Sequence, residues 1–252
     1  MIIPKPKEIE KPPEIISHGY FVGVDVGQAQ DYSCLLATEH ITNLEGVHEF
    51  HVRYCQRLPL GTPYGKVVSA TAQLVNFLKQ SGHGPVVLGL DATGCGRPVA
   101  EAMREIGLKP MAITVTGGAT ANYQNGFYHI PKKELISSAS LLLGRGQIKI
   151  AKDIEFRDTL LNELENYAVK VNIATGGESY EAWRSSIHDD LTFALCITCY
   201  LGLKAARRAG KIITPIEIEK SGPHATDPTR QSAIGDAVKG GRWKDLTGFR
   251  SG

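Results

Sequence analysis

Two aspartates in this 252-residue sequence share one local setting. Asp25 closes the apolar run Tyr20-Phe21-Val22-Gly23-Val24, Asp91 closes Val86-Val87-Leu88-Gly89-Leu90, and small residues follow each at once. Functional groups of α/β sheets gather at the carboxyl ends of strands. A single Asp there often does no more than cap the next turn, but two at matched positions favour a shared site. If the strands are parallel neighbours, the two carboxylates stand side by side at one sheet edge. A second acidic pair, Asp189 and Asp190, follows His188 and opens the apolar stretch 191–203. Capping a helix and offsetting its dipole, worth about 0.3–1 kcal/mol, needs one Asp rather than two. Asp31, six residues past Asp25 in the loop 28–31, is a further candidate, readable also as a solvated turn residue.

Gathering these acids raises their pKa values and costs several kcal/mol of desolvation per ion unless something compensates. Divalent cations are the usual remedy, and an all-oxygen donor set selects Mg²⁺ or Mn²⁺ over zinc. Two such ions roughly 4 Å apart clamp the attacking and leaving oxygens of a phosphodiester. The expected metal ligands are therefore Asp25, Asp91, Asp189 and Asp190, and His188 is an accessory group that could orient a water or a phosphate.

Hydrophobic periodicity supplies the elements that must position these groups. Strands are expected over 20–27, 32–37, 47–56, 85–91 and 111–115, and helices over 64–80, 98–106, 132–143, 156–166 and 189–206. Both aspartate-bearing strands read as buried on two faces. Residues 116–130, rich in Gly, Asn and aromatics, read as a loop or hairpin. With Tyr123, Asn125, Phe127, Tyr128 and His129 it could serve as a flap over a groove. A second hairpin-like stretch surrounds Gly176-Gly177. Three strands, helix, strand, helix, strand and a late apolar helix is the order of the ribonuclease H-like fold: a mixed central sheet flanked by helices, here with a hairpin or flap insertion.

Hydrophobic content of 42% and charged content of 21% fit an ordinary soluble globular chain, long enough for one α/β domain with extensions. The net charge of +2 does not itself announce a polyanion partner. The distribution is more telling, because residues 204–252 carry ten Lys or Arg against five Asp or Glu. Residues 209–252 lack periodicity and read as a basic, flexible tail. Residues 1–17, rich in Pro and charge, read as a linker or hinge. Arg97, Arg104, Lys132, Lys133, Arg145 and Lys149 are expected near the active edge as phosphate contacts. Five irregularly spaced cysteines suggest reduced thiols, and Cys196-x-x-Cys199 lies in an apolar helix without a second ligand pair for zinc.

Gly23-Val24-Asp25-Val26-Gly27 with Asp31-Tyr32-Ser33, then Gly89-Leu90-Asp91-Ala92-Thr93-Gly94, then His188-Asp189-Asp190-Leu191 resemble the three acidic motifs of the nuclease domain of large terminase subunits, in order and spacing over roughly 18–205. These subunits are the DNA-packaging motors of tailed bacteriophages and related viruses. The resemblance implies a ribonuclease H-like nuclease over 18–208 that cuts concatemeric viral DNA by a two-metal mechanism. It also implies double-stranded DNA, the small terminase subunit and the portal protein as partners, and action in the host cytoplasm outside the mature virion. Asp25, Asp91 and one or both of Asp189 and Asp190 would hold Mg²⁺ or Mn²⁺, with Asp31 an accessory acid. Many relatives carry another Asp one turn later, where this chain has Phe193-Ala194, so which of Asp189 and Asp190 ligates stays open. No G-x-x-x-x-G-K-[ST] occurs, so 1–17 is expected to be the hinge from an ATPase domain.

Three rivals remain. Sugar kinases and actin-like ATPases use similar Asp-x-Gly turns but need two such domains. A Holliday-junction resolvase shares the fold. An interaction module could bind a structural cation with the same acids.

Overall fold

The computed structural model describes residues 15–27, 31–174 and 189–208. Eight strands, β1 Ile16–Asp25, β2 Cys34–Thr42, β3 His48–Arg57, β4 Val86–Asp91, β5 Met111–Thr116, β6 Asn122–Gln124, β7 Phe127–Pro131 and β8 Ile148–Ile150, form one sheet ordered β6-β7-β5-β4-β1-β2-β3-β8. The helices are α1 Tyr64–Gln80, α2 Gly96–Glu105, α3 Lys132–Gly144, α4 Arg157–Ala174 and α5 Asp190–Arg208. Within the sheet β1 runs antiparallel to β2 and parallel to β4, β2 is antiparallel to β3, and β4 is parallel to β5. The order 3-2-1-4-5 with these directions is the ribonuclease H-like topology, as expected.

Alternation along the central strands divides the core into two layers. Tyr20, Val22, Val24, Leu88 and Leu90 pack with α1 and α2, whereas Phe21, Leu36, Phe50 and Ile113 pack with α3, α4 and α5. Asp25 and Asp91 share the parity of Phe21 and Gly89, so both carboxylates project into the α5 layer.

Four differences from the expected elements have local causes. First, β1 begins at Ile16, inside the stretch read as linker. Second, β8 was not foreseen, because three residues are too few to display an alternation. Third, α4 runs to Ala174 instead of ending near 166. Fourth, 122–131 is a hairpin lying in the sheet: Asn125 and Gly126 take φ of 51° and 82°, the backbone of a two-residue turn, and β7 pairs in parallel with β5. It widens the sheet beyond β5. Residues 1–14, the Gly176-Gly177 stretch and 209–252 lie outside the described residues. Among the described residues no helix is long and apolar enough to cross a membrane.

Candidate active site

The site begins with an approach of helix to sheet. Gly23 and Gly89 are register partners on β1 and β4, each two residues before its aspartate. A Cβ on Gly23 would stand 2.2 Å from the Ala194 carbonyl oxygen, and one on Gly89 would stand 2.6 Å from Ile197 Cγ2. Two missing side chains thus let α5 lie directly on the sheet. Ala194 sits near Gly23, and Ile197 and Leu201 sit over Gly89. The first turn of α5 therefore reaches the edge where β1 and β4 end. Thr38 and Thr198, whose hydroxyls lie 2.9 Å apart, join β2 to the same helix.

That geometry brings Asp25, Asp91, Asp189 and Asp190 together. Val24 pairs with Leu90, so the two strand-end aspartates follow directly as neighbours. Burial first, then the charges of Asp91, Asp190, Asp189 and Asp31, hold the Asp25 carboxyl well above the usual carboxylate range. Asp91 is raised by burial, while Thr93 and Lys132 act against the rise. One of its oxygens accepts the Thr93 amide at 2.8 Å, the turn-capping role expected of a strand-end Asp. Asp91 therefore does both jobs, capping its own turn and facing the cluster. Cys95, in the turn after β4, donates its thiol to the Val26 carbonyl at 3.2 Å and ties together the two aspartate-bearing turns. Asp31 is exposed, beside a shallow cleft whose other wall is Pro59, Gly61, Thr62, Pro63 and Tyr64.

Two charged residues join this cluster that no sequence motif announced. Arg57, at the end of β3, forms an ion pair with Glu163 of α4 and lies 3.8 Å from Asp190 Oδ2. Its guanidinium also stacks on the Tyr32 ring at 4.5 Å. Glu163 is 5% exposed, and its Oε2 accepts the Thr192 amide at 2.9 Å. A neighbouring helix thus supplies a capping acceptor to the third residue of α5, the amide a capping Asp189 would otherwise reach. Burial, together with Asp190 and Asp189, pushes the Glu163 carboxyl up to about 7 against the pull of the Thr192 amide and Arg57. The only sequence signal for either residue was a charge at an element's end or on a helix face.

The basic residues divide. Lys132 and Lys133 open α3 directly after β7 ends, and Lys132 is close enough to act on Asp91. Arg97 and Arg104 of α2 place their guanidinium groups 4.7 and 5.3 Å from the Phe127 ring centroid, and Arg104 also donates to the Gly126 carbonyl at 2.9 Å. Both sit against the turn end of the hairpin, with Arg104 at the far end of its helix. Arg145 caps the far end of α3, about 20 Å along the helix from Lys132, and Lys149 lies 3.9 Å from Glu49 on the outer strands. The expectation that Arg104, Arg145 and Lys149 line the carboxylate edge is corrected: the helices run away from that edge and carry the first two with them. Cys196 and Cys199 are buried thiols within α5. His188 lies outside the described residues.

No family model matches the chain. It is similar to the large terminase subunits of Thermus phage G20c and Thermus virus P23-45, 27% identical to each over 184 residues, 71% of this chain and 31% of theirs. The chain thus spans about a third of the length of these relatives. Two solved structures of the human cytomegalovirus terminase nuclease domain, one soaked with Mn, also align. Their TM-scores are 0.47 and 0.49 at 12% and 11% identity, covering 73% and 76% of this chain and 84% and 86% of those chains. Over the span shared with the Thermus viruses, this chain is similar in sequence to phage large terminase subunits.

Proposed function

We propose that this chain is a divalent-metal-dependent DNA endonuclease that cuts concatemeric viral genomes during packaging. The observation that carries the reading is the convergence of Asp25, Asp91, Asp189 and Asp190 from three elements at one sheet edge, on a chain similar in sequence to phage large terminase subunits.

The donor set fits a hard cation. Burial first, and then the neighbouring carboxylates, hold Asp25 well above its ordinary pKa, and positive charge in their midst would offset that cost. Asp25, Asp91 and one or both of Asp189 and Asp190 would hold Mg²⁺ or Mn²⁺, two ions in our reading. Bound there, the cations would activate a water and neutralise charge developing on the phosphodiester. The chain's own residues do the rest. Glu163 and Arg57 fix the first turn of α5, and with it Asp190, against the end of β3. Thr93 fixes one oxygen of Asp91. Lys132 and Lys133 are the phosphate contacts best situated for a strand of DNA crossing the edge, and Asp31 is an accessory acid at the mouth. His188 is an accessory group that would orient a water or a phosphate. Double-stranded DNA is the substrate, the small terminase subunit and the portal protein are partners of the whole motor, and the host cytoplasm is where it acts.

Nicking and linearisation of supercoiled plasmid test the reading. Cleavage that requires Mn²⁺ or Mg²⁺ and disappears in Asp25→Asn and Asp91→Asn is expected. Cleavage indifferent to both substitutions would sink it, as would ATP hydrolysis without cleavage. Preference for four-way junctions over linear duplex would favour a resolvase.

A further inference from the structure

The opposite end of the sheet holds a second cluster, unconnected with the carboxylates. His18 of β1, His40 of β2 and His48 of β3 come from three adjacent strands, and one ring nitrogen from each lies within 4.8 Å of the others. His40 Nε2 and His48 Nδ1 are 3.0 Å apart. Thr42 Oγ1 lies 2.6 Å from His18 Nε2 and 3.4 Å from His48 Nδ1. The rings of His18 and His40 are 4.8 Å apart, and His40 stacks flat on Phe50 at 4.7 Å. His40 is 3% exposed and the other two are half-buried.

The cluster depends on an irregularity of β1. Phe21, Gly23 and Asp25 face α5, so strict alternation would send His18 to the other face. The register breaks between Ser17 and Gly19, where Gly19 adopts a φ of 112°, and Gly19, not His18, pairs with His40. A bulge inserts one residue and re-aims the side chain beside it. Here it turns His18 onto the face where His40, Thr42 and His48 already stand. About seven residues at roughly 3.3 Å each separate His18 from Asp25, some 23 Å, so the two sites share no ligand.

We infer that His18, His40 and His48 form a binding site for one borderline divalent transition-metal ion, of which zinc is the type, with Thr42 or a water in the fourth position. Three neutral imidazoles are the donor set such ions prefer, in contrast to the oxygen donors at the other end. Zn–N bonds of about 2.0–2.1 Å in a tetrahedron require nitrogens about 3.3 Å apart, close to the His40–His48 separation and within a small rotamer adjustment for His18. An ion there would staple β1, β2 and β3 at the end farthest from catalysis. Its role is structural, and the inference does not depend on the nuclease reading.

The test is calorimetric titration of the chelator-stripped chain with Zn²⁺ in excess Mg²⁺, with Co²⁺ as spectroscopic probe. One equivalent of Zn²⁺, visible ligand-field bands for Co²⁺ and a rise in Tm are expected. Asp25→Asn/Asp91→Asn should keep all three. His48→Gln should weaken Zn²⁺ binding at least about 100-fold. Half-buried His18→Asn serves as a second variant should His48→Gln fail to fold by circular dichroism. Binding unchanged in a folded histidine variant, binding lost in the aspartate variant, or no stoichiometric uptake by the wild type would each overturn the assignment.

Discussion

Gly23 and Gly89 face one another across the parallel pair β1–β4, and α5 rests on both. The two contacts differ in kind, which makes them separable. A methyl at 23 meets the backbone carbonyl of Ala194, whereas at 89 it meets only side-chain methyls of Ile197 and Leu201, which can give without moving the helix backbone. Gly23→Ala should destabilise the fold by about 1–3 kcal/mol, the usual range for an overpacked core, and Gly89→Ala by less than half as much. Displacing α5 moves Asp189 and Asp190, so Gly23→Ala should also lose cleavage at temperatures where it remains folded. Urea titration and plasmid nicking check the pair.

Asp25→Asn removes the carboxylate most burdened by its neighbours. In metal-free buffer this variant should melt higher than the wild type by about 2–4 °C, equivalent to roughly 1 kcal/mol in a chain of this size. Mn²⁺ should raise the wild-type Tm and leave that of the variant nearly unmoved. A lower metal-free Tm for the variant would contradict the crowding of charge at this site.

Glu163 is buried and the Arg57 side chain is only 13% exposed, so removing one strands the other. Arg57→Ala should cost about 3–5 kcal/mol. Glu163→Gln should cost less, because an amide oxygen still accepts from Thr192 and a carboxyl pushed up to about 7 is ionised only at the expense of burial. A double-mutant cycle should return a coupling of about 0.5–3 kcal/mol. Additive single effects would remove the pair from the account of how α5 is held.

Lys132 and Lys133 stand at the carboxylate edge, and Arg145 stands at the other end of α3. Lys132→Ala/Lys133→Ala should raise the apparent KM for plasmid about tenfold and flatten its dependence on salt, since each lost phosphate contact lowers the salt slope by about one. Arg145→Ala should leave both unchanged.

Glu39 is buried on β2, where burial raises its carboxyl but the Ser17 hydroxyl, Arg53 and His83 together carry it below its ordinary value. Its Oε2 accepts from Arg53 Nε at 2.8 Å. A depressed pKa stabilises the fold fully above the unfolded value, near 4.5, and that stability is lost as pH falls through the folded value. Melting followed from pH 6 to pH 3 should show the loss in the wild type and a shallower acid limb in Glu39→Gln.

The clustered aspartates were legible because each sits within a few residues of the strand or helix end that presents it. Asp25 and Asp91 needed only an apolar run and a following turn, and Asp190 needed only the start of an apolar helix. Arg57 and Glu163 were not legible, because 106 residues separate them and packing alone makes them partners. The hairpin at Asn125-Gly126 carried a turn signature, but its pairing to β5 is a long-range outcome that local pattern does not fix. Helix direction misled the reading of Arg104 and Arg145: residues close in sequence to an active-edge element lie far from the edge once that element has run its length. The histidines were hidden in another way, since a bulge breaks the alternation by which faces are read.

Among the described residues the sheet is bordered on both sides by strands of three residues, β6 and β8. An intruding strand needs a continuous row of unpaired amides and carbonyls, and a border strand of three residues offers only a few. Edge-to-edge polymerisation is thereby discouraged in a chain whose central strands are apolar enough to invite it. Crowded copies of this domain would meet through side chains and not through backbone.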